Sequence, residues 1–472
     1  MKKQKAFVYR CSACGHEEQK WLGRCPECGE WNTLAETAVS PVVKRGMPSQ
    51  GRRGEPNPES IPLAAVDPQE GKRVPSGIDE LDRVLGGGIM KRSCILVGGE
   101  PGIGKSTLLL QAAALAGTKG RVLYVSGEES AGQIRMRGDR LGLDAGAQQR
   151  IEVLCSGCIE DIERSIEKTR PLVIIIDSVQ TLYSAEAGLS PGALNQMRFC
   201  AWELISWVKE HDAALFLVAH VTKDGLIAGP KALEHMVDTV LYFEGNFSAA
   251  GGDCRFLRAV KNRFGSVDEI GIFTMGEKGL APVEDPSLLF LVRREGELPP
   301  GVATAAVLEG SRTLLVEIQA LTSPAKGSMS RVFSDRIDSA RVSRVAAAIE
   351  KHLALRLSDQ DLYINAAGGI KISEVGAELA LAAAIYSART GLSLPAKTCI
   401  AGDLSLTGEV RPIRRLPVRV RTAANLGYDS FVGPLPDSAE ALPGRFTGVK
   451  NIGEAIKALF GPAPPAARHS PS

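Results

Sequence analysis

Residues 94–107 read CILVGGEPGIGKST, and this stretch decides the fold. Its centre, Gly99 to Ser106, matches G-x-x-x-x-G-K-[ST]. The apolar run CILVG before it reads as a short buried strand. The small and apolar residues from Ser106 to Ala116 read as a helix. Strand, glycine loop and helix form the context that makes this motif a phosphate cradle. Its glycines let backbone N–H groups wrap an anion, and the helix N-terminus adds partial positive charge. The expected nucleotide-binding set is Gly98, Gly99, Glu100, Pro101, Gly102, Ile103, Gly104, Lys105, Ser106 and Thr107, with ATP as ligand. Lys105 is expected to reach the β- and γ-phosphates, and Ser106 to ligate Mg²⁺.

Downstream, VLYVS, LVIIID, ALFLVAH and TVLYFEG are further short apolar runs, alternating with helical patterns. Such a series predicts a mostly parallel sheet covered on both faces. LVIIID ends in Asp177, about 70 residues after the glycine loop, where a strand-end carboxylate stands beside Mg²⁺. VLYVS is followed by Gly127-Glu128-Glu129-Ser130. A carboxylate at the end of the strand next to the phosphate loop can activate the attacking water. Glu128 is the choice for this base and Glu129 the alternative. His220, ending ALFLVAH, can sense the γ-phosphate or sit as a buried, satisfied histidine.

The N-terminal unit, residues 1–35, carries Cys11-Ser-Ala-Cys14 and Cys25-Pro-Glu-Cys28, a C-x2-C-x10-C-x2-C spacing. Two such pairs complete a tetrahedral four-thiolate site for Zn²⁺, structural in kind because protein fills every position. Gly15 and Gly29 follow the second cysteine of each pair, where a knuckle needs φ > 0. His16 reads as a solvated surface residue. The remaining six of the ten cysteines are scattered, which does not suggest a disulfide scaffold. Residues 36–72 are rich in Pro, Gly, Ser and charge and read as a flexible linker. The phosphate-loop domain is expected over 73–285, a second α/β domain over 290–460 and a disordered tail over 461–472.

The 472 residues carry 56 Lys and Arg against 54 Asp and Glu, a net charge of +2. A polyanion site must therefore come from local clustering. No apolar run approaches the ~20 residues of a membrane span, and MKKQKAFVYRCSACG lacks a signal-peptide core. The expectation is a cytoplasmic protein with no membrane partner.

Lys261-Asn262-Arg263-Phe264-Gly265, together with Gly98 to Thr107, VSGEES, IIIDS and HVTKDG, resembles the RadA (Sms) family of bacterial DNA repair and recombination proteins. The resemblance spans nearly the whole chain, and KNRFG is its most specific element. It implies a zinc ribbon, a RecA-like P-loop core and a Lon-protease-like C-terminal α/β domain. It further implies a hexameric ring ATPase that binds single-stranded and branched DNA. Such a ring would drive branch migration in recombination and repair, alongside the RecA recombinase. Lys261 and Arg263 would then act catalytically across a subunit interface, on the neighbour's γ-phosphate. A trans cation there stabilises transition-state charge. Read without the resemblance, KNRFG is equally an exposed basic turn.

Two polar stretches suit a central DNA channel: Tyr183 to Met197 and Lys223 to Lys231. Lys223, Lys231 and Arg198 are the candidate phosphate contacts. In the C-terminal domain the nucleophile and base positions of the Lon pattern fall at Gly376 and Pro417, which cannot do the chemistry. A Lon-like protease is therefore disfavoured, and a KaiC-like regulatory ATPase is the other alternative. The basic run Arg411, Arg414, Arg415, Arg419 and Arg421 is open to three readings: subunit contact, duplex DNA contact, or salt bridging.

Overall fold

The computed structural model describes residues 7–11, 17–18, 20–27, 29–38, 62, 64, 72–185, 193–220, 233–248, 252–283, 285–292, 298–325, 330–436 and 442–461. Cys14, His16, Cys28, Lys223 and Lys231 lie outside these residues, as do most of the expected linker and residues 462–472. The chain divides into two compact units. One holds Met1–Phe243, Ala259–Ser266 and Glu277–Gly279; the other holds Glu244–Arg258, Val267–Gly276 and Leu280–Ser472.

At the N-terminus, strand Phe7–Cys11 pairs antiparallel with Glu17–Glu18 and with Leu34–Ala38. Register places Cys11 opposite Leu34. Cys11, Cys25 and Leu34 are buried together as a small core.

The first unit is organised by the parallel part of a larger sheet. Six neighbouring strands of a nine-stranded sheet run in the order Thr239–Ser248, Ser93–Gly99, Ala214–His220, Val173–Asp177, Val122–Ser126, Ile151–Leu154. Every neighbouring pair is parallel. Ser93–Gly99, Val122–Ser126 and Val173–Asp177 are buried along their whole length, which is why they read as continuous apolar runs. One expectation needs correcting. The strand leading to Glu128 is not the neighbour of the phosphate-loop strand, because the His220 and Asp177 strands intervene. A single-strand reading finds strand ends but not sheet order.

Helices cover the sheet for local reasons that can be named. Ile159–Thr169 buries Ile159, Ile162 and Ile166, an i, i+3, i+7 stripe, against Ile174 and Val125 of the sheet core. Ala131–Arg140 opens on a capping box between Ser130 and Gln133. Lys105–Ala116 starts one residue earlier than the sequence suggests, after Gly104 at φ 112°.

The second unit is built on a seven-stranded mixed sheet. Strands Val302–Glu309 and Arg312–Pro324 form a long antiparallel pair. Helices Ser339–Leu353 and Glu378–Thr390 bury Val342, Val345, Ile349, Leu379 and Ile385 with Val316 and Ile318. Among the described residues no helix is long and apolar enough to cross a membrane.

Candidate functional site

The phosphate-loop strand ends at Gly99, whose φ is 158°; a Cβ there would meet the carbonyl oxygen of Phe243 at 2.5 Å. Only glycine lets the chain leave the sheet so close to its neighbour. The loop then turns through Gly102 (φ 75°) and Gly104 (φ 112°) into the Lys105–Ala116 helix. This stacks backbone N–H groups and the helix N-terminus at one point, which is the anion-binding arrangement the motif predicts.

Lys105 is 3 % exposed. Its Nζ donates to the carbonyls of Gly99 (2.8 Å) and Glu100 (2.9 Å) and lies 3.2 Å from Nδ1 of His220. Burial pulls this ammonium down to about 8, against the opposing pull of the Asp177 and Glu128 carboxylates. An ammonium has donors only, so Nδ1 of His220 accepts and the ring's proton sits on Nε2. That nitrogen is 3.6 Å from Oε1 of Glu128. Burial, then Lys105, lowers the pKa of His220, so the neutral ring is favoured at neutral pH. His220 thus stands between the two groups that the sequence assigned to the phosphates and to the water.

Asp177 ends its strand in register with Ser126, buried at 7 % exposure. The hydroxyl of Tyr124 donates to its Oδ2 at 2.6 Å. Glu128 accepts from the hydroxyl of Ser178 at 2.6 Å. Although two strands separate its strand from the phosphate-loop strand, the turn at Gly127 leaves Glu128 in contact with Ser178 and near His220. Gly127 has no room for a Cβ, which would meet Oγ1 of Thr181 at 2.1 Å. The adjacent Glu129 instead forms an ion pair with Arg137. Tyr124 and Ser178 are site members that sequence reading missed. Tyr124 is hidden inside an apolar strand, and only the strand pairing reveals that its hydroxyl meets Asp177.

Lys261 and Arg263 lie elsewhere. Lys261 donates through Nζ to the carbonyls of Glu234 and Val237, both at 2.7 Å. Arg263 pairs through Nη1 with Oδ1 of Asp238 at 3.2 Å. The N–H of Asp238 donates to the carbonyl of Cys94 at 3.0 Å, at the root of the phosphate-loop strand. Lys261 and Arg263 are therefore at the opposite end of that strand from Gly99, roughly 17 Å away at ~3.3 Å per residue. Asn262 and Phe264 lock the motif further. Asn262 donates to the carbonyl of Val84, and Arg73 donates to that of Phe264.

Arg198 is exposed in the first turns of helix Leu194–Glu210. In the second unit, Arg419 leaves the basic run: it is 0 % exposed. It binds Glu374 through two nitrogens at 2.7 and 2.8 Å and donates to the carbonyl of Ala306 at 2.7 Å. Arg411, Arg414, Arg415 and Arg421 remain exposed. A Cβ on Gly376 would meet the Glu374 carboxylate at 2.5 Å. Pro417 sits in the first turn of helix Leu416–Asn425. The Glu374–Arg419 ion pair thus lies directly against Gly376.

The ribbon suits a metal. Cys11 and Cys25, from separate segments, share one buried core at 2 % and 1 % exposure. After the second pair, the N–H of Gly29 (φ 75°) donates to the carbonyl of Cys25 at 2.9 Å, closing a knuckle turn. Residues 9–36 match the family described as "Rubredoxin metal binding domain". This supports a Zn²⁺ site that Cys11 and Cys25 would help to hold.

Residues 61–226 match the family described as "AAA domain", an ATPase class, and residues 333–437 match "Subunit ChlI of Mg-chelatase". Full-length relatives share one description. A "DNA repair protein RadA" of Treponema pallidum is 54 % identical over 436 residues, covering 92 % of this chain and 93 % of the relative. Proteins of that description from Bacillus subtilis and Pseudomonas aeruginosa are 42 % and 40 % identical, each covering 96 % of this chain and 98 % of the relative. With identity this high sustained from ribbon to C-terminal unit, the chain belongs to the RadA family of DNA repair proteins.

Proposed function

We propose that this chain is a DNA-stimulated ATP-hydrolysing motor that works as a ring, probing and moving along single-stranded and branched DNA. The observation that carries the reading is the position of KNRFG. Lys261 and Arg263 are too far from their own chain's phosphate loop to serve it, so they suit the γ-phosphate of an adjoining copy. A hexamer, branch migration and partnership with the RecA recombinase, which the family resemblance implies, complete the proposal.

The steps follow from this chain's residues. Lys105 exchanges the Gly99 and Glu100 carbonyls for β- and γ-phosphate oxygens. Ser106 and Asp177 are the groups that would hold Mg²⁺. With Tyr124 on Oδ2, Asp177 keeps Oδ1 for the metal site. Held there, Mg²⁺ would supply charge neutralisation for the phosphate oxygens. Glu128, held by Ser178, takes the proton of the attacking water as it adds to the γ-phosphorus and ADP departs. His220 reports the change, because Lys105 leaves its Nδ1 when phosphates arrive. The stretch from Lys223 to Lys231 follows His220 closely in sequence, and with Arg198 it is the proposed DNA contact.

The reading is tested by ATP turnover against oligonucleotide concentration for wild type and Lys105→Ala. Wild type should be stimulated and the variant inactive. Turnover indifferent to DNA would favour a regulatory ATPase that answers to protein partners.

A further inference from the structure

Both cations of KNRFG rest on one five-residue stretch. Lys261 sits on the carbonyls of Glu234 and Val237, and Arg263 on Asp238. Asp238 is 2 % exposed and its carboxylate is fully engaged. Oδ1 takes Arg263, while Oδ2 takes Nζ of Lys209 at 2.5 Å and the N–H of Cys94 at 3.0 Å. The Asp238 carbonyl also accepts the N–H of Arg263 at 3.2 Å.

We infer that Asp238 is the positioning residue for the trans-acting Arg263, an inference that rests on the ring reading above. Two donors on one oxygen fix the carboxylate plane, so the other oxygen holds the guanidinium at a set angle. Arg263 keeps 60 % of its side chain exposed. A guanidinium has five donors. One is committed to Asp238, and the rest stay available to a phosphate across the interface. Prealigned donors of this kind lower the barrier because they need no reorganisation as charge develops. Through Cys94 the same carboxylate is tied to the strand that carries this chain's own phosphate loop. Through the chain it follows the Lys223–Lys231 stretch by a few residues. Asp238 therefore links a subunit's own nucleotide and DNA elements to the cation it lends.

Asp238→Asn keeps an acceptor for Cys94 and removes the charge that aims Arg263. DNA-stimulated kcat should fall about 10- to 100-fold, the scale of an ångström-level misplacement, while KM for ATP changes less than about twofold. Mixed rings separate positioning from general damage. Asp238→Asn subunits have an intact ATP site, so mixing them with Lys105→Ala subunits should restore turnover. Mixing them with Arg263→Ala should restore none. Arg263→Ala with Lys105→Ala is the control for the ring reading itself. If the control recovers and the Asp238→Asn with Lys105→Ala mixture does not, the positioning role is wrong and the ring reading stands. Recovery with Arg263→Ala, or an unimpaired Asp238→Asn, also overturns it. If the control fails to recover, the trans reading falls and takes this inference with it. Should Asp238→Asn not fold, the smaller Asp238→Ser retains a Cys94 acceptor and runs the same pairings.

Discussion

Nζ of Lys105 lies 3.2 Å from Nδ1 of His220, joining the lysine of the glycine loop to the residue that faces Glu128. The contact puts a charged donor on a neutral imidazole in a largely dry site. Burial of the same ammonium pulls it down to about 8.

ATP affinity should therefore depend on pH. Phosphates favour the charged ammonium, so the complexed lysine titrates well above the free one. Below pH 8 the free lysine is already protonated and affinity is flat. As pH rises through 8, binding must take up a proton and affinity falls, by up to about tenfold per unit. Calorimetry near pH 8.5 in two buffers of different ionisation enthalpy reads that uptake directly. Observed binding heats identical in the two buffers would show no proton uptake and hence no lowered lysine.

Glu128 and Glu129 should separate cleanly. Glu128→Gln should lower kcat by about 10²- to 10⁴-fold, the range for losing a general base, with nucleotide still bound. Glu129→Gln loses its ion pair with Arg137, and kcat should stay within about tenfold because that pair is partly exposed. A reversed order in single-turnover assays would move the base to Glu129.

Neighbouring glutamates cannot be told apart along the chain, and here the choice emerges only from their partners, Ser178 and Arg137. The phosphate loop was plain in the sequence because its chemistry demands a fixed spacing of glycines and Lys105. Strands such as Val122–Ser126 and Val173–Asp177 were plain because full burial leaves unbroken apolar runs. The Tyr124–Asp177 bond and the Asp238 seat were not, since both join residues brought together by sheet order. Arg419 reads as one more surface cation until its burial against Glu374 is seen.

The C-terminal unit should depend on that ion pair. Arg419→Met leaves the Glu374 carboxylate without its charged partner and should cost about 3–5 kcal/mol, measured by denaturant unfolding. Gly376→Ser crowds the same carboxylate, so it should destabilise the unit and produce no casein cleavage. Peptide hydrolysis by Gly376→Ser would mean that a dormant protease site survives.

Chelating the metal should unfold the ribbon and spare the ATP site. Cys11, Cys25 and Leu34 are too small a core to stand alone. Trp21 and Trp31 report on the ribbon by fluorescence, while nucleotide binding reports on the core. Unchanged ribbon emission after metal removal would show that zinc is not what holds it.

The central claim is that each ATP is cleaved with a cation supplied by another copy. The most direct measurement is DNA-stimulated turnover in equimolar mixtures of Lys105→Ala and Arg263→Ala chains, each inactive by itself. Random assembly leaves roughly a quarter of interfaces with an intact loop facing an intact Arg263, so turnover should return toward that fraction of wild type. Mixtures as inactive as either parent, although the two chains assemble together, would contradict it.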